Sequence, residues 1–380
     1  MLNSQIEAAR QLLHTEQFVA ATRLCEQIAP LFETKEMWDE YALVLMIQSE
    51  SQWRIGKART ALELNNKAFN LITQKLENNY PTLADCYVNF GGIYSKLANY
   101  DSAIAYFQKA LDIYLLNPAK HQLDLGNCYH NIGLCFNFMG DYNRSIEYLM
   151  CGLRICEQTL GVNHPELARN YNAIGMCLVS KGDYRNAHVN YKYALELTLL
   201  PDNKKPNQLA MVYNNIGVLY VLENDFDYAL HYFYKSLAIK VNLFGQEHSG
   251  IVSSYGNVGN CYKNKGNTAQ ALHYYQKALS LSLKVNGKKH PATALQYLNM
   301  GIGQKIQKNF DAALCAYQIA LQIYRSALGK NHVQVAWSLN NIANLYVEIG
   351  DYKVGLKFFH KTLQIYRQIF GEKHPNIAFV

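Results

Sequence analysis

Apolar and polar positions recur along this chain with a period of 42 residues. Gly91, Gly133, Gly175, Gly217, Gly259 and Gly301 stand in one column, which Ala343 continues. Four residues before each come Tyr87, Tyr129, Tyr171, Tyr213, Tyr255 and Tyr297, then Leu339. Three residues after come Tyr94, Phe136, Leu178, Tyr220, Tyr262, Gln304 and Tyr346. The spacing i, i+4, i+7 is one stripe of a helix with 3.6 residues per turn. Twelve residues after the glycine stands a small residue (Ala103, Ser145, Ala187, Ala229, Ala271, Ala313, Gly355), and twenty after it always a leucine, from Leu111 to Leu363. These two lie close to one face of a second helix, and the small residue lets the helix axes approach. Each period therefore predicts two antiparallel helices.

The connections repeat as well. Gly140-Asp141, Gly182-Asp183 and Gly350-Asp351 predict a left-handed helix end followed by the cap of the next helix. Between periods, Leu160-Gly161-Val162-Asn163-His164-Pro165 recurs in varied form at 244–249, 286–291, 328–333 and 370–375. Glycine ends one helix there, and proline suits the first turn of the next. The linker histidines His164, His248, His290, His332 and His374 come one per period. Helix layers stand about 8–10 Å apart, too far for ligands that must approach a metal to about 2 Å. Loop hydrogen bonding near a helix start is the expected role.

The pattern Tyr-x-Asn-x-Gly-x-x-Tyr, followed by Gly-Asp-Tyr and the Ala and Ala-Leu columns, resembles the tetratricopeptide repeat. The 42-residue period with a Leu-Gly-x-x-His-Pro linker is similar to the kinesin-light-chain type of that repeat. The resemblance implies an all-α fold, a right-handed superhelical solenoid of stacked antiparallel helix pairs. Residues 78–371 read as seven regular repeats, 36–77 as a degenerate one, and 1–35 as an N-terminal capping helix pair. Residues 372–380 read as the start of a further, truncated repeat. One pair cannot bury its apolar stripe alone, so stacking supplies the core and the length signifies one extended array.

Composition fits a folded chain. Of 380 residues, 49% are apolar and 17% charged, which excludes the charge-rich disordered class. The net charge of +7 is scattered along the chain, which argues against nucleic acid as a partner. No run of eighteen apolar residues suggests a membrane span, and the first residues lack the features of a secretory signal. Nine cysteines without a Cys-x-x-Cys pair are expected to be reduced thiols in a cytoplasmic protein. Cys135, Cys177 and Cys261 share a column, as do Cys86 and Cys128, a habit of packing positions. Phosphate-loop, zinc-protease and nucleophile-elbow motifs are absent, so neither a cofactor nor an enzymatic activity is expected.

Two residues before the glycine column stand Asn89, Asn131, Ala173, Asn215, Asn257, Asn299 and Asn341. Two residues rotate a helix by roughly 200°, which turns this column away from the paired helix and toward the concave groove. An asparagine amide matches the N–H and C=O of an extended peptide. It could equally bond to neighbouring helices and set the repeat spacing. The resemblance favours the first role, since peptide-binding tetratricopeptide domains commonly grip ligand backbone with an Asn here. At helical spacing on the same face, Leu134, Phe138, Met176, Val218 and Leu222 form an apolar centre. Asn260 and Asn264 join Asn257 in a polar patch beyond it. The alternative is that these side chains pack between adjacent first helices. The carboxylate clamp of chaperone-tail binders is not matched: only Arg169 is basic one turn before the column, and Ala173 replaces its Asn.

The expected function is a protein-interaction scaffold that holds a peptide segment with apolar anchors in its groove. The alternative is a sensor or regulatory arm of a larger signalling enzyme, a protease or kinase. An uncapped last repeat would also allow self-association.

Overall fold

A computed structural model describes residues 2–15, 17–76, 80–201 and 205–371. The further repeat expected at 372–380 lies outside the described residues. Among the described residues the chain forms eighteen α-helices, one short 3-10 turn and no strand. It divides into two compact units, Met1–Phe138 and Met139–Val380. The first holds α1 (Leu2–His14), α2 (Phe18–Thr34), α3 (Trp38–Arg54), α4 (Ala58–Lys75), α5 (Tyr80–Lys96), α6 (Tyr100–Tyr114) and α7 (Gln122–Phe138). The second opens with α8 (Tyr142–Leu160) and continues with five pairs. These are α9 (Ala168–Lys181) with α10 (Tyr184–Thr198), α11 (Pro206–Leu222) with α12 (Phe226–Phe244), and α13 (Ser249–Asn264) with α14 (Thr268–Val285). Then come α15 (Pro291–Ile306) with α16 (Phe310–Leu328), and α17 (Val333–Ile349) with α18 (Tyr352–Phe370).

The glycine column marks the crossing of the two helices in a pair. A Cβ built at Gly91 would stand 2.5 Å from the Phe107 ring, at Gly175 2.6 Å from Tyr191, and at Gly259 2.6 Å from Tyr275. Those rings are buried. In the last pair Ala343 takes the glycine position, and Gly355 replaces the small residue of the second helix. A Cβ at Gly355 would stand 3.0 Å from Val347 and 3.2 Å from the Ala343 carbonyl. The close approach persists, with the missing methyl moved to the other helix.

The tyrosine columns close the flank of each crossing. Tyr232 stacks on Tyr220 with centroids 5.6 Å apart, and the Lys235 ammonium lies 5.4 Å over Tyr213. Tyr274, Tyr262 and Lys277 repeat the arrangement in the next pair, as Tyr106, Tyr94 and Lys109 do in unit 1. The tyrosines are spent on the fold.

Turns and linkers perform the capping the sequence anticipates. Asp141, Asp183 and Asp351 accept from the backbone N–H three residues on, at 3.1–3.2 Å. Gly182 and Gly350 before them have φ of 84° and 96°. At the same turn position Ala98, Asn224 and Lys308 also have positive φ, a conformation that costs a non-glycine residue roughly 1–2 kcal/mol. Four linker histidines cap the following helix through Nδ1. His164 accepts from Glu166 N–H at 3.2 Å, His248 from Gly250 at 3.1 Å, His290 from Ala292 at 3.0 Å and His332 from Gln334 at 3.2 Å. His374 lies outside the described residues.

The cysteine columns pack between repeats. Cys177 donates its S–H to the Tyr142 carbonyl and Cys261 to that of Phe226, each in the preceding second helix. Burial pushes the Cys86, Cys128 and Cys135 thiols up to about 12, so they remain protonated at neutral pH.

Two outcomes follow from these contacts. Gly259→Ala should cost about 1–3 kcal/mol by overpacking against Tyr275, measured by urea denaturation. His332→Ala should cost about 1 kcal/mol for the lost cap, and His332→Asn should restore most of it in the same assay.

Candidate functional site

The asparagine column lies where successive first helices meet, and its amides reach across to the preceding repeat. Asn215 Nδ2 donates to Asn172 Oδ1 at 3.0 Å, and Asn257 Nδ2 to Asn214 Oδ1 at 2.7 Å. In unit 1 Asn89 Nδ2 donates to the Met46 carbonyl at 3.2 Å. Each acceptor stands 43 residues before its donor. Asn214 also donates to Asn215 at 3.3 Å, so a chain of amides runs through α13, α11 and α9.

In α15 and α17, where residue i−43 has no side-chain acceptor, the amide turns to its own helix. Gly256 stands 43 residues before Asn299, and Asn299 Nδ2 bonds Gln296 Oε1 at 3.2 Å. Leu298 stands at that distance before Asn341, which bonds the Trp337 carbonyl at 2.9 Å. Val88 holds the corresponding place for Asn131, which is half-buried. The repeat-spacing role of Asn89, Asn215 and Asn257 is therefore visible in their bonds. Each keeps a carbonyl lone pair beyond these contacts.

The apolar positions expected beside this column fall into both units. In unit 1 Leu134 is half-buried, and the exposed Phe138 ring stacks on Tyr100 with centroids 5.6 Å apart. In unit 2 Met176 is half-buried, while Val218 and Leu222 are 37% and 44% exposed. Met211 stands seven residues before Val218 on the same helix face and is 48% exposed. Thus α11 presents Met211, Val218 and Leu222 as one apolar stripe to solvent. Trp337 and Ile306 are exposed at the matching positions of later first helices. Asn264 is exposed, but Asn260 is partly occupied, since Tyr275 donates its hydroxyl to Asn260 Oδ1 at 2.7 Å.

The charged groups of this face are open to water yet crowded by protein. Desolvation lowers the Arg169 pKa, opposed by Cys156 and Glu166. In unit 1 desolvation raises Asp85, against the pull of the Tyr114 hydroxyl that donates to it at 2.6 Å. Desolvation, then Arg54, lowers Lys96, whose ammonium lies 5.6 Å over the Trp53 ring. Lys263 is lowered by desolvation and by Lys305, which pairs with Glu348 of the next first helix at 2.9 Å. Sequence reasoning missed Lys263 and Lys305, and also the acceptor column. The signal for the latter was present: Asn172, Asn214 and Asn340 each stand three residues before the glycine column.

A cleft of about 500 Å³ opens elsewhere in unit 2, between α14 and the Gln246-Glu247 linker, with Tyr255, His273 and Lys277 on its walls. None of the first-helix positions above lines it. Among the described residues no group of three or more His, Cys, Asp or Glu could hold a metal ion. No described helix is long and apolar enough to cross a membrane.

Stacked helix pairs with a varied first-helix face define an α-helical repeat protein. The chain belongs to the tetratricopeptide repeat family: family profiles match residues 40–115, 124–199, 208–281, 250–326 and 297–354, and another matches 335–376. No curated protein sequence matches it. Among solved structures it is similar to a Rap protein complexed with competence and sporulation factor, with 13% identity and a TM-score of 0.67 over 97% of this chain and 98% of that one. It is also similar to the Rap conjugation gene regulator of plasmid pLS20 in complex with the Phr* peptide, with 14% identity and a TM-score of 0.60 over 97% and 95%. The putative kinesin light chain repeats of Podosopora anserina match 54% of this chain and 97% of theirs, with 13% identity and a TM-score of 0.44. At such identities the likeness is one of fold.

The Tyr275–Asn260 bond yields a comparison between repeats. One repeat later Ile302 takes the place of Asn260, and the Tyr317 hydroxyl is buried without a partner. Tyr275→Phe should cost about 1 kcal/mol, while Tyr317→Phe should leave stability unchanged or raise it by a similar amount, read by urea denaturation.

Proposed function

We propose that this protein is a binding scaffold that holds an extended segment of a partner protein along its first-helix face. The exposed stripe of Met211, Val218 and Leu222 carries the reading. Three apolar side chains on one helix face, left to water beside half-buried amides, suit a partner's apolar anchors. Asn257, Asn264 and the spare lone pairs of the amide chain can bond the partner's backbone, each bond worth about 0.5–1.5 kcal/mol net. Arg169 is the single basic residue in the column of Met211, so the partner segment need not be strongly acidic. Leu134, Phe138, Asn89 and Asn131 offer the same chemistry within unit 1, and Met176, Asn215, Asn260 and Asn341 offer it within unit 2, whereas Asn299, expected to face a ligand, is buried and serves packing instead.

Two solved structures of similar fold are complexes, one with competence and sporulation factor and the other with the Phr* peptide. Burial keeps the Cys86, Cys128 and Cys135 thiols protonated, which suits packing groups. All nine cysteines are free.

Selection from a random-peptide library tests the reading. The wild-type chain should enrich peptides with apolar anchors. Val218→Asp combined with Leu222→Asp should reduce that enrichment at least about tenfold, from the lost burial of two side chains, with unchanged helical circular dichroism. Equal enrichment by both proteins, or none by the wild type, would overturn the proposal.

A further inference from the structure

The cleft of about 500 Å³ beside α14 lies away from the first-helix face, and what it could hold is independent of the scaffold reading. Its surroundings are charged in one sense. Residues 228–310 hold ten lysines against one carboxylate, Glu247, a net +9 in a chain whose total is +7. This stretch runs from α12 to the start of α16, all within unit 2. The basic residues stand singly along the sequence, but the acids that balance them elsewhere are missing here. A concave site lined by one sign of charge concentrates ions of the other.

Glu247 itself stands on the cleft wall, where it pairs with Lys284. Lys277, seven residues earlier on α14, has no carboxylate partner among the described residues. Its ammonium is held instead 5.9 Å over the Tyr255 ring and 5.4 Å over Tyr274. Between the two lysines lie Gln276 and Ser280, joined at 3.2 Å, which add polar groups to the same wall. Tyr255 and Leu281 supply an apolar surface beside them. The fold does not demand cations at these places. In the columns of His273, Lys277 and Lys284, α12 carries His231, Lys235 and Asn242, and α16 carries Cys315, Ile319 and Ser326.

We propose that this cleft binds a phosphorylated small molecule of nucleotide size, its phosphates between Lys277 and Lys284 and its base against Tyr255 and Leu281. The volume falls within the roughly 300–1,000 Å³ of small-molecule sites. Lysine binds phosphate as a point charge, and Gln276 and Ser280 can donate to its oxygens. A phosphate monoester carries about −1.5 to −2 charges at neutral pH, enough to draw Lys284 from Glu247. A single carboxylate would only exchange like for like.

Isothermal titration of ATP and of inorganic pyrophosphate into the 380-residue chain tests this. ATP should bind at one site per chain, and more tightly than pyrophosphate, which leaves the Tyr255–Leu281 wall bare. Lys277→Gln should weaken ATP about tenfold, the effect of one charge-assisted hydrogen bond. Ser280→Glu, which brings a second carboxylate to the cleft, should abolish binding. Glu247→Gln should tighten it about threefold, because Lys284 is then released without competition. Lys235→Gln, one repeat earlier in the column of Lys277, should leave the affinity unchanged. All four positions are exposed, and urea denaturation checks that each variant is folded. Absence of saturable ATP binding would overturn the proposal, as would unchanged or weaker binding by Glu247→Gln. Equal losses from Lys235→Gln and Lys277→Gln would assign the binding to diffuse attraction by the net charge. Equal affinities for ATP and pyrophosphate would assign a bare polyphosphate. Either result overturns the nucleotide site.

Discussion

The closeness of the two helices in a pair governs this molecule. At Gly91, Gly175, Gly217, Gly259 and Gly301 a ring of the second helix occupies the space that a Cβ of the first would need. The approach removes water from both surfaces over a small contact, and a lone helix pair has few other means to bury apolar area. Once the glycine is fixed, the flanking tyrosines must close the crevice on either side, and the small residue of the second helix must face the first. The Ala343–Gly355 exchange makes the point from the other direction: the position of the missing methyl is negotiable, but its absence is not.

A second constraint links one pair to the next. Apolar surface alone would let first helices slide along each other, because dispersion contacts have little directional preference. The amide bonds from Asn89, Asn215 and Asn257 have direction and length, and they fix register at three junctions. In unit 2 the Asn215 and Asn257 bonds meet on α11, the helix that carries the exposed apolar stripe, so the proposed recognition would share a helix with register. A side chain that spaces two repeats would also set the distance between the ligand contacts proposed for them. Peptide contact and repeat spacing are therefore compatible demands on one residue.

The helices, turns, caps and crossing residues were legible in the sequence because every repeat poses the same local problem and the same residue solves it. Gly-Asp turns and linker histidines are local, resolved within three residues, and the columns display them directly. The direction of the asparagine amides was not legible. In unit 2 it follows the side chain at residue i−43: Asn214 offers an amide oxygen, while Gly256 and Leu298 in the same regular column do not. Nor did periodicity mark the division after Phe138, which places Leu134 and Phe138 in one unit and Met176, Val218 and Leu222 in the other. A 42-residue period cannot register a boundary at which the columns continue unbroken.

Internal repetition also separates packing from recognition without reference to any other protein. Positions that solve the shared folding problem hold one residue type through seven periods, as the leucine column does from Leu111 to Leu363. A position released from that problem can change from repeat to repeat. One turn before the asparagine column the chain reads Asp85, Asn127, Arg169, Met211, Ser253, Leu295 and Trp337, and five of those seven are exposed. Acid, amide, cation, thioether, hydroxyl, alkyl and indole thus follow one another along first helices built to one plan. Within unit 2, where Arg169, Met211, Ser253, Leu295 and Trp337 succeed one another, unlike groups on successive first helices would let the proposed scaffold discriminate one extended partner from another, as a uniform surface could not. The uniform interior is the condition for that variety, since it lets each repeat change its outward residue without disturbing its neighbours.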